Sequence, residues 1–216
     1  MDLPPLSDEQ LALVVASAQS PANLYSTLSD YETEACLLST KDGKQAELLS
    51  LYYSTFFFSH LLTDQIREAR LSTKRMPQNL LQSDPSLQNC LNLLRAVWQR
   101  KYEQVYTILR ELPWPEPLKP IVQSYDAHFQ EKTLKELSRA YEAIRPAAAA
   151  TYLGLDPASA QEGDPATMQK FIACGWTWDE KTGLLHPKPI IEDSQNDAQL
   201  YNELSEVMAL VGNRRT

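Results

Sequence analysis

The chain has 216 residues and carries 20 Lys and Arg against 28 Asp and Glu, a net charge of -8 at pH 7. That length suits one domain with its own core, or two small modules that share one. The acidic balance, with no basic stripe to displace counterions from phosphates, argues against nucleic acid and for protein partners.

The first helical signal is Ser7, an N-cap followed by Leu11, Val14, Val15 and Ala18 at helical spacing up to Pro21. A second helix is expected over 22–38, and Asp42-Gly43 supplies a turn. The third helix, 44–62, carries Leu48, Leu51, Tyr52, Phe56 and His60 on one stripe and Leu49, Tyr53, Phe57 and Leu61 on another. A helix apolar over so wide an arc must be covered on more than one side, and intramolecular core is the plainest cover.

Thr63-Asp64 opens a helix over 65–74, ended by Met76-Pro77. After Asp84-Pro85, a helix over 86–100 is read from Leu87, Leu91, Leu94 and Trp98, and another over 102–112 from Val105, Tyr106 and Leu109. Helix, short turn and helix alternate as in a TPR-like α-solenoid, although without a strict sequence period. Pro113-Trp114-Pro115-Glu116-Pro117 cannot lie inside a helix and reads as an interhelical turn. Leu118, Ile121, Val122, Tyr125 and Phe129 resume the pattern, and a boundary is placed near Glu131.

Beyond it, Leu134, Leu137, Tyr141 and Ile144 give the stripe of a new helix. Pro146 starts a second, which Gly154 ends, and Asp156-Pro157 can cap a further turn. Pro165 opens a third helix with Met168, Phe171 and Ile172 facing inward, stopped by Gly175. Trp176-Thr177-Trp178 then pairs with 184–186 around 179–183 as a hairpin. Three short helices followed by a hairpin is the order of a winged-helix module. Trp176 and Trp178, two apart, share one face of the strand, where packing on the module core competes with partner binding. The polar stretch 192–197 reads as a linker to a last helix with Leu200, Leu204, Val207 and Val211 on one seam, the spacing of a helical bundle. Two heptads are too short to stand alone, so this helix must dock on its own module or on partners.

Cys36, Cys90 and Cys174 show neither zinc-ligand spacing nor a disulfide framework, and are expected as reduced thiols packed in helices. Met1-Asp2-Leu3-Pro4-Pro5 lacks the basic-then-apolar layout of a signal peptide. The most apolar run, 51–62, is short and broken by Ser54, Thr55, Ser59 and His60, so a soluble intracellular protein with no membrane partner is expected.

Val97-Trp98-Gln99-Arg100-Lys101-Tyr102 with Val105-Tyr106, Ser138-Arg139-Ala140-Tyr141 with Ile144, Tyr152-Leu153-Gly154-Leu155, and Gly175-Trp176 with His186-Pro187-Lys188-Pro189 follow one another along the chain. Together they resemble the PCI family, the helical-repeat plus winged-helix subunits of the proteasome lid, the COP-9 signalosome and translation initiation factor three. The resemblance spans about residues 52–190. It departs from the family at 156–166, which looks long, and leaves the first fifty residues unmatched.

The resemblance implies a mostly α fold: a helical-repeat arm over 1–130, a winged-helix subdomain over 131–190, and a linker with a bundle helix over 191–216. It implies a non-catalytic scaffold, cytoplasmic and nuclear, in the signalosome branch and supporting deneddylation of cullins. The alternatives are initiation factor three and the proteasome lid. Implied partners are other PCI subunits through the winged helix and a helical bundle through the terminal helix, with Leu200, Leu204, Val207, Val211, Trp176 and Trp178 as contact residues. The branch's zinc protease chemistry needs a His-x-His pair with a nearby Asp and a Glu base. His60, His128 and His186 stand far apart, so no catalytic residue, metal ligand or cofactor site is expected. The third winged helix offers only Lys170 and the wing reads Asp179-Glu180-Lys181, a surface that would repel phosphates.

Overall fold

The computed structural model describes residues 4–188, so the seam Leu200, Leu204, Val207 and Val211 lies outside the described residues. Polar side chains begin several of the helices, whereas the helix expected to open on Thr63-Asp64 starts at Ile66 without a side-chain cap, Asp64 lying at a φ of +59°. Ser7 Oγ accepts the N–H of Gln10 at 3.2 Å to open α1 (Asp8–Ser17), Ser20 opens α2 (Pro21–Asp30), and Asp42 opens α4 (Gly43–Leu62). The single helix expected over 22–38 is two, α2 and α3 (Glu32–Leu37). The Tyr52 hydroxyl donates to the Leu28 carbonyl at 2.9 Å, and Tyr31 N–H tightens onto the same carbonyl, which ends the i to i+4 ladder there.

Helix α4 is the axis of the larger core. From Tyr52 through Leu62 every side chain is buried, hydroxyls included. Ser59 and Thr55 satisfy their hydroxyls on the Phe56 and Leu51 carbonyls, which allows them inside. Around α4 pack α1, α2, α5 (Ile66–Arg75), α7 (Pro85–Trp98) and α9 (Lys119–Ala140). Fully burying each of Phe56, Phe57 and Phe58 contributes about 1.5–3 kcal/mol. A short helix not expected from sequence, α6 (Gln78–Ser83), joins α5 to α7. In α7 the buried face is Leu87, Cys90, Leu93 and Leu94, so the helix is rotated from the expected stripe and Trp98 is left 51 % exposed. After α8 (Tyr102–Arg110), the proline turn is anchored by Trp114, whose indole N–H donates to the Ile108 carbonyl at 3.1 Å and whose ring meets Phe58 edge-on.

Of the three thiols, burial pushes Cys90 up to about 12, whereas Cys36 is exposed and Cys174 half-buried; only Cys90 is packed as expected. His60 is 2 % exposed among Tyr25 and Phe56, and that burial holds its imidazole below the ordinary value of 6.5. A base depressed in this way binds fewer protons folded than unfolded. Its contribution is complete above about pH 6.5 and is lost as the pH falls below it. The melting temperature is therefore expected to drop between about pH 7 and pH 5, and His60→Phe should flatten that slope. Parallel slopes in the two proteins would remove His60 from the account.

Helix α9 runs unbroken through Glu131. Its residues up to Phe129 pack on the first core cluster, and those from Leu134 pack on a second. The second cluster belongs to the end of α9, α10 (Pro146–Leu153), α11 (Pro157–Gln161), α12 (Pro165–Ala173), β1 (Thr177–Asp179) and β2 (Leu184–His186). The stripe expected to continue to Ile144 stops sooner. Tyr141 is extended and exposed, and Ile144 exchanges two backbone hydrogen bonds with Leu185, 2.8 and 2.9 Å, as a strand bridge. In α12, Met168 and Phe171 face the core as expected but Ile172 is 54 % exposed, because Thr167, not Ile172, shares the buried face with them. Residues 156–166 hold α11, capped by the Asp156 carboxylate, a turn at 162–163, the Asp164 cap and the first two residues of α12.

Candidate interaction surface

The winged module is built on Trp176. At 1 % exposure its ring stacks on Phe171 at 5.8 Å, and its indole N–H donates to Ser138 Oγ at 2.9 Å. Thus the indole fastens the hairpin to α9 and α12 and presents no accessible face of its own. Trp178 is half-buried on the same cluster and remains at the rim. The loop between the strands closes on Asp179, whose carboxylate accepts from Thr182 Oγ1 at 2.8 Å and Lys181 N–H at 2.9 Å. Those bonds, Thr182 first, hold the Asp179 carboxyl below its ordinary value, and Gly183 takes the positive φ the turn requires.

The hydrogen-bond alternation of this sheet exposes one strand. Antiparallel pairs alternate between hydrogen-bonded and non-bonded. Leu185 gives its N–H and C=O to Ile144, so its pairing with Trp178 across β1 and β2 is of the non-bonded kind. The N–H and C=O of Trp178 consequently point to the outer edge of β1, which no other strand covers among the described residues. An uncovered edge of this sort is a template for strand addition by another chain.

A second feature fixes the module's attitude to the helical arm. The final carbonyls of a helix lack intrahelical donors. At the end of α10, three consecutive ones accept from arm side chains: Tyr152 from the Tyr106 hydroxyl at 3.1 Å, Leu153 from Gln130 Nε2 at 2.6 Å, and Gly154 from Arg110 Nη1 at 2.6 Å. Arg110 is itself held by a two-bond pairing with Asp126, 2.8 and 3.0 Å, and lies over the Tyr106 ring at 4.5 Å. Burial pushes the Tyr106 phenol well above its ordinary value, so it stays a donor. Tyr106 and Gly154 stand out in the sequence, whereas Arg110, Asp126 and Gln130 do not. Their i, i+4 spacings on α8 and α9 are visible in the chain; their common target, some forty residues away for Arg110, is not.

Among the described residues no group of three or more His, Cys, Asp or Glu could hold a metal ion, and no helix is long and apolar enough to cross a membrane.

Comparison with known proteins matches residues 47–196 to a family model described as the CSN8/PSMD8/EIF3K family. A COP9 signalosome complex subunit 8 of Emericella nidulans is 56 % identical over 214 residues, covering 99 % of each chain. Proteins of the same name from Dictyostelium discoideum and Danio rerio are 24 % and 22 % identical, over 74 % of this chain and 77 % and 82 % of their own. The likeness to the Emericella nidulans protein runs through the first fifty residues, beyond the span of the short motifs that carry the family resemblance. The helical arm, the winged module with its open strand edge and these matches lead to one assignment: the chain belongs to the CSN8/PSMD8/EIF3K family.

Proposed function

We propose that the protein is a non-catalytic scaffold subunit of the COP9 signalosome, cytoplasmic and nuclear, that supports deneddylation of cullins indirectly by holding the assembly together. The observation that carries this reading is the 56 % identity, over 99 % of both chains, to a protein named for that complex. In it, residues 1–130 form the arm, 131–190 the joint to other PCI subunits, and 191–216 a tether and bundle helix contacting partners through Leu200, Leu204, Val207 and Val211. The partner at the joint adds a strand to β1, meeting the backbone of Trp178, while buried Trp176 holds the hairpin in place for it. Neither a metal nor a cofactor takes part in this subunit's role.

The test is to tag the N-terminus, isolate the chain from cells, identify its companions and assay the eluate for removal of the modifier from cullins. Signalosome subunits with activity are the expected result. Translation factors or lid subunits instead would move the protein to another branch of its family and overturn the proposal. The strand-addition element has its own measurement. Trp178→Ala and Trp178→Pro both lose the indole, but only proline also removes the edge N–H, at a position where an edge strand tolerates it. Loss of one hydrogen bond predicts about three- to tenfold weaker incorporation for the proline variant than for the alanine variant. Equal incorporation would eliminate strand pairing at this edge.

A further inference from the structure

The groove between α5 and α7 has walls of one charge and an apolar floor. Arg70 and Lys74 from α5 and Arg95 from α7 stand over Leu91, Leu94 and the indole of Trp98, enclosing about 340 Å³. Thr73 and Gln99 complete the lining, so no carboxylate is present in it, and α7 carries no acidic residue at all. Among the described residues none of the three cations forms a salt bridge. Arg70 lies over the Trp98 ring at 5.6 Å, which keeps its guanidinium at the groove mouth.

Two features of this arrangement run against the rest of the chain. The protein has a net charge of -8, yet three like charges converge here without neutralisation. Trp98 ends an otherwise core-facing helix, yet it is half exposed beside Arg70 and Arg95. Tryptophan and arginine together, around a small apolar floor, are the composition of binding hot spots. We propose that this groove docks an acidic amphipathic segment of another protein. An apolar side chain of that segment would rest on Trp98 and Leu91, and flanking carboxylates would pair with Arg70, Lys74 and Arg95. Helix-in-groove recognition supplies the geometry, since a helix places an apolar anchor and its charged neighbours at i, i+3 and i+4. Charge complementarity selects the partner: a basic or neutral segment would leave the cations facing one another, whereas carboxylates neutralise them and gain the paired geometry of arginine. Nucleic acid is disfavoured by the apolar floor and by the acidic balance of the chain beyond the groove. This surface lies on the arm and does not depend on strand addition at β1.

The experiment uses the purified full chain and a short fluorescein-labelled helical peptide with leucine on one face and glutamate beside it. Anisotropy should show binding that weakens with added salt, and a counterpart peptide with lysine for glutamate should not bind. The double variant Arg70→Glu with Arg95→Glu, and separately Trp98→Ala, should each lower affinity by about tenfold or more. All of these positions are exposed, and unchanged melting temperatures would show that the fold is intact. Binding that ignores these substitutions, or equal binding of the lysine peptide, overturns the proposal, as does displacement of the glutamate peptide by a single-stranded oligonucleotide at lower concentration. In cells, a p-benzoylphenylalanine placed at position 99 should cross-link to a carboxylate-rich segment of another protein. Cross-linking to residues 189–216 of the same chain, or to nothing, would overturn it equally.

Discussion

Trp176→Ala is expected to lower the stability of the winged module by about 3–5 kcal/mol, the usual consequence of emptying a large aromatic site in a core. The size follows from the surroundings. Trp176 is among the largest fully buried side chains, the stacked Phe171 lies across it, and its indole hydrogen bond ties the start of the hairpin to Ser138 on α9. The second core cluster is small, with Ala149, Ala150 and Ala160 among its members, so few side chains can move into the space. Hydrogen exchange should rise in α12, β1 and β2 while α4, in the other cluster, keeps its protection. Trp176→Phe should cost less, since it keeps most of the ring and loses chiefly the bond to Ser138, worth about 1 kcal/mol. Urea denaturation of the variants reads these values. A loss below about 1 kcal/mol for Trp176→Ala would mean that the module does not depend on this residue.

Gly154→Ala is expected to loosen the joint between arm and module, at about 2–5 kcal/mol. Two costs combine. Gly154 has a φ of +63°, which a side chain disfavours, and an added Cβ would lie 2.5 Å from Tyr106 Cγ. The atom struck is at the root of the Tyr106 ring, and that ring is pinned by Arg110 on one side and by Phe129 at 5.7 Å. Relief therefore requires movement of α8 against α10, which would strain the bonds from Tyr106, Arg110 and Gln130 to the end of α10. Gly163→Ala is the control. It has a φ of +73° but nothing within 4 Å of the new Cβ, so only the backbone cost of about 1–2 kcal/mol applies. Equal destabilisation of the two variants would show that contact with Tyr106 is unimportant. If Gly154→Ala also lowers incorporation into a complex more than Gly163→Ala does, the attitude of the module to the arm matters for assembly.

Both variants concern a module that the chain announces locally. Pro146, Gly154, Pro165 and Gly175 bound its helices because proline lacks a donor and glycine reaches positive φ, properties that depend on no distant residue. The cap at Ser7 is legible for the same reason, since it accepts a hydrogen bond from within its own first turn; Asp42, expected only as part of a turn, and Asp84 cap their helices in the same way. The order of those elements, with short motifs such as Tyr152-Leu153-Gly154-Leu155, carries the family resemblance.

The starts of α1, α10 and α12, the stops at Gly154 and Gly175, the wide apolar arc of α4 and the helix-to-hairpin order of the module were thus already legible in the order of residues. Which side of a helix lies inside was settled by folding alone. Trp98 fits the apolar stripe of α7 yet stands exposed, and Ile172 fits that of α12 yet faces out, because burial depends on which neighbour covers a face. The break after Asp30 is set by a hydroxyl from Tyr52, and the strand at Ile144 by Leu185, partners many residues away. The arm's three donors to the end of α10 likewise converge from α8 and α9. Periodicity reports the local conformation of a helix, but contacts between separate segments exist only once the chain has folded.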